Sequence, residues 1–168
     1  MPFLRRLPIA VLAAAALLAQ DTVVVLVRHG EKVSEEANAE LAEAGLRRAE
    51  ALVPLLAPMR PAALFASERK RTQQTLGPLA KATGLPLQIR KAKEEAALAK
   101  HLLEAWKGRT VVVCGHSNTV GPLAVALGVM GGIPEPKGFD RYWIVKVDGL
   151  GKASVEDLPQ AAPPPAAR

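Results

Sequence analysis

A single α/β domain, built as a three-layer α-β-α sandwich around a mostly parallel sheet, is predicted by three observations on this 168-residue sequence. Residues 23–27 and 111–114 are unbroken, valine-rich apolar runs; strands covered on both faces read this way, whereas a strand with one wet face alternates. Around them, apolar residues recur at helical spacing, so strands and amphipathic helices take turns along the chain. Both runs also stop abruptly at chemistry-bearing residues, Arg28-His29-Gly30-Glu31 after the first and Gly115-His116-Ser117 after the second. Open α/β sheets bind ligands at the carboxyl ends of their strands, so these two endings mark the candidate site.

The elements follow in order. Arg5 and Arg6 precede a short apolar stretch, residues 7–18, and a small-residue exit at Ala19, the pattern of a secretory signal over residues 1–20 with cleavage after Ala19. The stretch is shorter than the roughly 18–20 residues a spanning helix needs, and no cysteine near residue 19 offers a lipid attachment point. The domain proper is then residues 21–157. Residues 31–40 are charged and read as a surface loop. Leu41, Gly45, Ala49, Leu52 and Leu56 recur at helical spacing, with Asn38 as candidate cap and Pro54 expected to kink or end the helix near Val53.

Residues 62–66 read as a second strand. Ser67 is suited to cap the next helix, Arg71 lies one turn inside it, and Thr83-Gly84 closes it. Residues 85–89 suit an edge strand, where Pro86 is tolerated, and residues 94–106 form an amphipathic helix ended by Gly108. After the 110–114 strand, residues 120–127 are expected as a helix, 128–138 as loop and 142–147 as the last strand. The Pro/Ala-rich residues 158–168 read as a disordered tail.

The formal net charge is +6, falling to +4 once Arg5 and Arg6 leave with the signal, a modest excess that suits a small anionic ligand. No interleaving of aromatic and basic residues suggests a nucleic-acid surface. Cys114 is the single cysteine, so the chain has no internal disulfide, and its place in a strand marks it as a core residue. Several chemistries fail on specific residues. His29-x-Glu31 is a fragment of a zinc deaminase signature without its cysteine half. A cysteine phosphatase built on Cys114 would need an arginine where Val120 stands, and no phosphate-binding Gly-x-x-x-x-Gly-Lys loop occurs. His101, on a helix between Lys100 and Leu102, reads as an ordinary surface or boundary histidine.

Three motifs together, Arg28-His29-Gly30-Glu31 after a strand, Ser67-x-x-x-Arg71-Thr72-x-Gln74-Thr75 opening a helix, and Gly115-His116-Ser117 after a later strand, resemble the histidine phosphatase (phosphoglycerate-mutase-like) superfamily. Leu41-Ala-Glu-Ala-Gly45 and Phe139-Asp-Arg-Tyr-Trp143 resemble further stretches of that family. The chain departs from the family pattern with Ala42 at a common helix-entry Ser/Thr position and Glu68 where proline often follows the serine. It also lacks long insertions, and so resembles the compact, open-site members, including phosphohistidine phosphatases.

The resemblance implies roles that the chemistry makes intelligible. Arg28 and Arg71 each offer phosphoryl oxygens a planar fork that lysine cannot reproduce. His29 is implied as the nucleophile that becomes phosphohistidine, kept neutral by the neighbouring arginines, and His116 as a donor to a phosphoryl oxygen. For protonating the leaving group, Glu31 is the first candidate and Glu94 and Glu95 are alternatives. An ion pair of Glu31 with Arg28, Lys32 or Arg71 stands beside that reading. The expected activity is that of an exported, metal-independent and cofactor-free phosphatase acting on small phosphorylated molecules, with no nucleic-acid partner and no stable membrane insertion once the signal is removed. A phosphohistidine or phosphoprotein phosphatase, a mutase-type phosphotransferase and a non-catalytic phosphate-binding module are the alternatives, the mutase disfavoured because this short chain has little from which to build a lid. A monomer is consistent with the sequence.

Overall fold

In the computed structural model, which describes residues 20–160, the two valine runs lie side by side at the centre of one sheet. They are the cores of β1 (Thr22–Arg28) and β4 (Thr110–Gly115), paired in parallel from Val23 opposite Thr110 to Arg28 opposite Gly115. The remaining strands and α-helices are α1 (Glu43–Leu56), β2 (Ala63–Ser67), α2 (Lys70–Thr83), β3 (Leu87–Arg90), α3 (Glu95–Ala105), α4 (Ser117–Ala126), β5 (Arg141–Val147) and β6 (Ala153–Pro159). The strand order is β3-β2-β4-β1-β5-β6, with β1 to β4 parallel and β5 and β6 antiparallel to their neighbours.

Successive side chains of a strand point to opposite faces, so each valine run feeds two cores. Val24, Leu26, Val111 and Val113 pack on one face with Leu102 of α3 and Leu123 and Leu127 at α4. Val25, Val27, Val112 and Cys114 pack on the other with Leu52 and Leu56 of α1 and Leu76 and Leu79 of α2. This is the expected three-layer sandwich. It also explains why β1 and β4 carry no polar alternation, since neither face of either strand meets water.

Several local expectations change. α1 continues past Pro54 to Leu56 instead of ending near Val53: Pro54 lies on the exposed side, where water can take the carbonyl its missing N–H leaves free. Asn38 caps a helix, though a different one. The residue preceding α1 is Ala42, while Asn38 Oδ1 accepts from the Lys70 backbone N–H at the start of α2 across 3.1 Å. α4 starts three residues earlier than expected, at Ser117, because the Thr119 hydroxyl accepts from the His116 N–H at 2.8 Å and folds the turn back on itself. β6 adds a strand beyond the one expected to be last. The disordered tail expected from residue 158 does not begin there, since Leu158 and Pro159 pair with Tyr142 and Arg141 and Gln160 is buried. Residues 1–19 of the expected signal and residues 161–168 of the expected tail lie outside the described residues. No helix among the described residues is long and apolar enough to cross a membrane.

Candidate active site

The parallel pairing of β1 and β4 delivers two histidines to the same sheet edge. The His29 N–H donates to the Gly115 carbonyl at 3.0 Å, and the His29 and His116 rings stand 5.2 Å apart between centroids in an edge-on arrangement. α2 begins beside them after β2, bringing Ser67 and Arg71. His29 and His116 are distant in sequence, and the β1–β4 register is what joins them.

His29 is 4% exposed, and its Nδ1 lies 2.7 Å from the Gly30 carbonyl oxygen. A carbonyl only accepts, so Nδ1 carries the proton and Nε2 keeps the lone pair. Burial, ahead of the charges on His116, Arg71 and Arg28, pulls its pKa down to about 4 against the opposing Gly30 hydrogen bond, so the ring is neutral at pH 7. The Gly30 N–H donates to Thr75 Oγ1 at 3.0 Å, and that hydroxyl in turn donates to the Arg71 carbonyl at 2.8 Å. Thr75 therefore fixes the peptide that orients His29. Gly30 also packs on Gly45 of α1: a Cβ on Gly30 would sit 2.9 Å from the Gly45 Cα, and one on Gly45 would strike the Glu31 carbonyl oxygen. That contact gives the Leu41-to-Gly45 motif its physical reason.

His116 is tied at both ring nitrogens. Arg71 Nη2 donates to Nδ1 at 3.2 Å, since a guanidinium has no acceptor, so the proton of the neutral ring resides on Nε2 and is donated to Ser67 Oγ at 3.0 Å. Ser67 passes the chain on to Thr72 Oγ1 at 2.9 Å, and Thr72 donates to the Arg69 carbonyl at 2.8 Å. Burial, then Arg71, lowers the His116 pKa to about 4, with Glu68 opposing. Ser67, expected as a helix cap, instead orients a histidine; Arg69 is the residue preceding α2.

Arg28 Nη1 donates to the carbonyls of Pro136 at 2.8 Å and Gly138 at 3.0 Å, and its guanidinium carbon lies 4.2 Å from the Phe139 ring centroid. Arg28 Nε and Arg71 Nε are buried without a hydrogen-bond partner among the described residues. Glu31 is gripped by Arg48, whose Nε lies 3.1 and 3.0 Å from its two oxygens and whose Nη2 lies 2.6 Å from Oε1. Burial raises the Glu31 pKa, but the Arg48 hydrogen bonds outweigh it and hold the carboxyl below its usual range. The ion-pair reading of Glu31 thus finds its partner in Arg48, not in Arg28, Lys32 or Arg71. Arg48 was unreadable in sequence: it sits in a charged helical stretch like its neighbour Arg47, and only the fold buries it. Glu94 and Glu95 stand at the start of α3 and do not line the cleft above His29; with Leu98 and Leu123 they line a second cavity that adjoins it at Ala92, Lys93, His116 and Thr119.

That cleft, about 570 Å³, is lined by Arg28, His29, Arg71 and His116 together with Lys32, Arg69, Lys93 and Phe139. Its volume suits a small molecule. The four residues that the sequence motifs single out all meet here, and Glu31 lines the cleft as well, in its pair with Arg48.

Residues 24–99 match the family model of the histidine phosphatase superfamily (branch 1). No curated protein matches the chain. Among solved structures, the protein histidine phosphatase SixA complexed with tungstate is 20% identical, with 82% of this chain and 97% of that one covered at a TM-score of 0.67. The mycobacterial glucosyl-3-phosphoglycerate phosphatase is 15% identical, with 82% and 98% covered at 0.64. Both likenesses concern the fold. The first two motifs lie inside the span that matches the histidine phosphatase model, and over most of its length the chain shares the fold of these phosphatases.

Proposed function

We propose that the chain is an exported phosphatase that moves the phosphoryl group of small phosphorylated molecules onto His29 Nε2 and from there to water. The observation that carries this reading is the His29 Nδ1 contact to the Gly30 carbonyl, which leaves a neutral imidazole with its lone pair on Nε2 in a cleft lined by two arginines. In the first step the Nε2–P bond forms as the P–O bond to the leaving group breaks, and the departing oxygen takes a proton. Water then attacks phosphorus, the P–N bond breaks, and inorganic phosphate leaves. Arg28 and Arg71 hold the phosphoryl oxygens, and His116 supports the charge that shifts onto them.

A second reading, a phosphohistidine or phosphoprotein phosphatase, is favoured by one observation. Both carboxylates lining the cleft are paired, Glu31 with Arg48 and Glu35 with Lys32, each at 2.6 Å, so neither is a ready proton donor. Leaving groups that need little protonation, such as an imidazole, suit such a site. A mutase is less well supported, because Glu35, Lys93 and Asn118 leave the rim exposed. Assay of the purified protein against phosphomonoesters, phosphoramidates and phosphoproteins decides between the readings; inactivity on all three classes would reject both. Export rests on Arg5, Arg6 and the apolar residues after them, and mass spectrometry of the native protein should find an N-terminus near Gln20 or Asp21.

A further inference from the structure

The cleft holds more positive charge than one phosphoryl group requires. Arg28 and Arg71 serve the phosphoryl oxygens; Lys32 is paired with Glu35, and Arg69 lies 3.5 Å from Glu68. Lys93 remains, with no carboxylate within ion-pair distance among the described residues. Its backbone has φ of 69°, a left-handed conformation that side chains disfavour and in which glycine would sit without strain. The loop is not loose there: the adjacent Ala92 N–H donates to Glu68 Oε2 at 2.8 Å, tying Lys93 to the segment that opens α2 and carries Arg71. A strained, exposed and unpaired cation is thus held at the rim of the site by a specific anchor.

We propose that Lys93 is a specificity-determining residue that binds a second anionic group of the substrate, a carboxylate or second phosphate on the leaving-group side. The inference rests on the phosphate-site reading above. It assigns the substrate class as phosphorylated molecules bearing a further negative charge within reach of the same cleft.

Calorimetric titration with 3-phosphonopropionate and with its carboxyl methyl ester tests this without turnover, since the C–P bond is not hydrolysed. The wild-type protein should bind the free acid at least about tenfold more tightly than the ester, as expected for one charge-assisted contact. In Lys93→Gln that gap should close to within about twofold while ester affinity is unchanged, and Lys93→Arg should restore it. Lys93→Gly, free of backbone strain, should lose the gap while melting no lower than wild type. Equal affinities in the wild type, or a gap that survives in both Lys93→Gln and Lys93→Gly, would overturn the role of Lys93 alone. Failure of both ligands to bind would overturn the phosphate-site reading and this inference with it.

Discussion

Arg71 Nη2 donates to His116 Nδ1 across 3.2 Å, so the cation and the imidazole proposed to serve the same phosphoryl group hold each other. An oxyanion arriving between them takes over the arginine fork and leaves the Nδ1 lone pair facing negative charge. A proton on Nδ1 relieves that repulsion.

Oxyanion binding should therefore take up a proton. Calorimetric titration of tungstate at pH 7.5 in buffers of differing ionisation enthalpy should show uptake approaching about one proton per site, lost in His116→Ala. Uptake unchanged in that variant would place the proton elsewhere.

Replacing Arg71 by Lys keeps the charge and loses the fork. We expect kcat/KM to fall at least about tenfold, the scale of one charge-assisted hydrogen bond. Wild-type kinetics would show that Arg71 takes no part in binding the phosphoryl group.

His29→Ala should abolish labelling by radioactive substrate and lower turnover by at least roughly a thousandfold. Acid-free quenching of the wild type should trap an alkali-stable, acid-labile phosphoramidate on the peptide containing His29. His116→Ala should slow turnover yet still label His29; label on His116 would reverse the two roles.

Glu31→Gln separates structural from catalytic roles. It strips Arg48 of its charged partner, and stability should fall by on the order of 2–3 kcal/mol. If Glu31 acts only in that pair, the ratio of rates for good and poor leaving groups should stay put. A selective loss on poor leaving groups would restore Glu31 as the acid.

Acid should destabilise the fold through both histidines. Their pKa values fall from 6.5 to about 4, chiefly by burial, so above about pH 6.5 each is neutral whether the chain is folded or not. Between about 6.5 and 4 the unfolded chain binds protons that the folded one refuses, and stability drops. Melting temperature should decline more shallowly over that window in a His29→Gln, His116→Gln double variant; an unchanged slope would assign the acid sensitivity to other groups.

Local sequence is enough for the sandwich and for the four residues at its site. Val24 to Val27 and Val111 to Cys114 are apolar on both strand faces, a local property that records burial directly, and His29 and His116 follow those strands by covalent connection. Contacts between distant segments come only with the tertiary structure. Glu31 finds Arg48, Asn38 caps α2, Ser67 turns to His116 and Lys93 reaches the cleft, and no periodicity marks any of them. β6 was hidden for a related reason: as an edge strand it is largely exposed, so its charged Glu156 and Asp157 mask an alternation that only pairing with β5 makes strand-like.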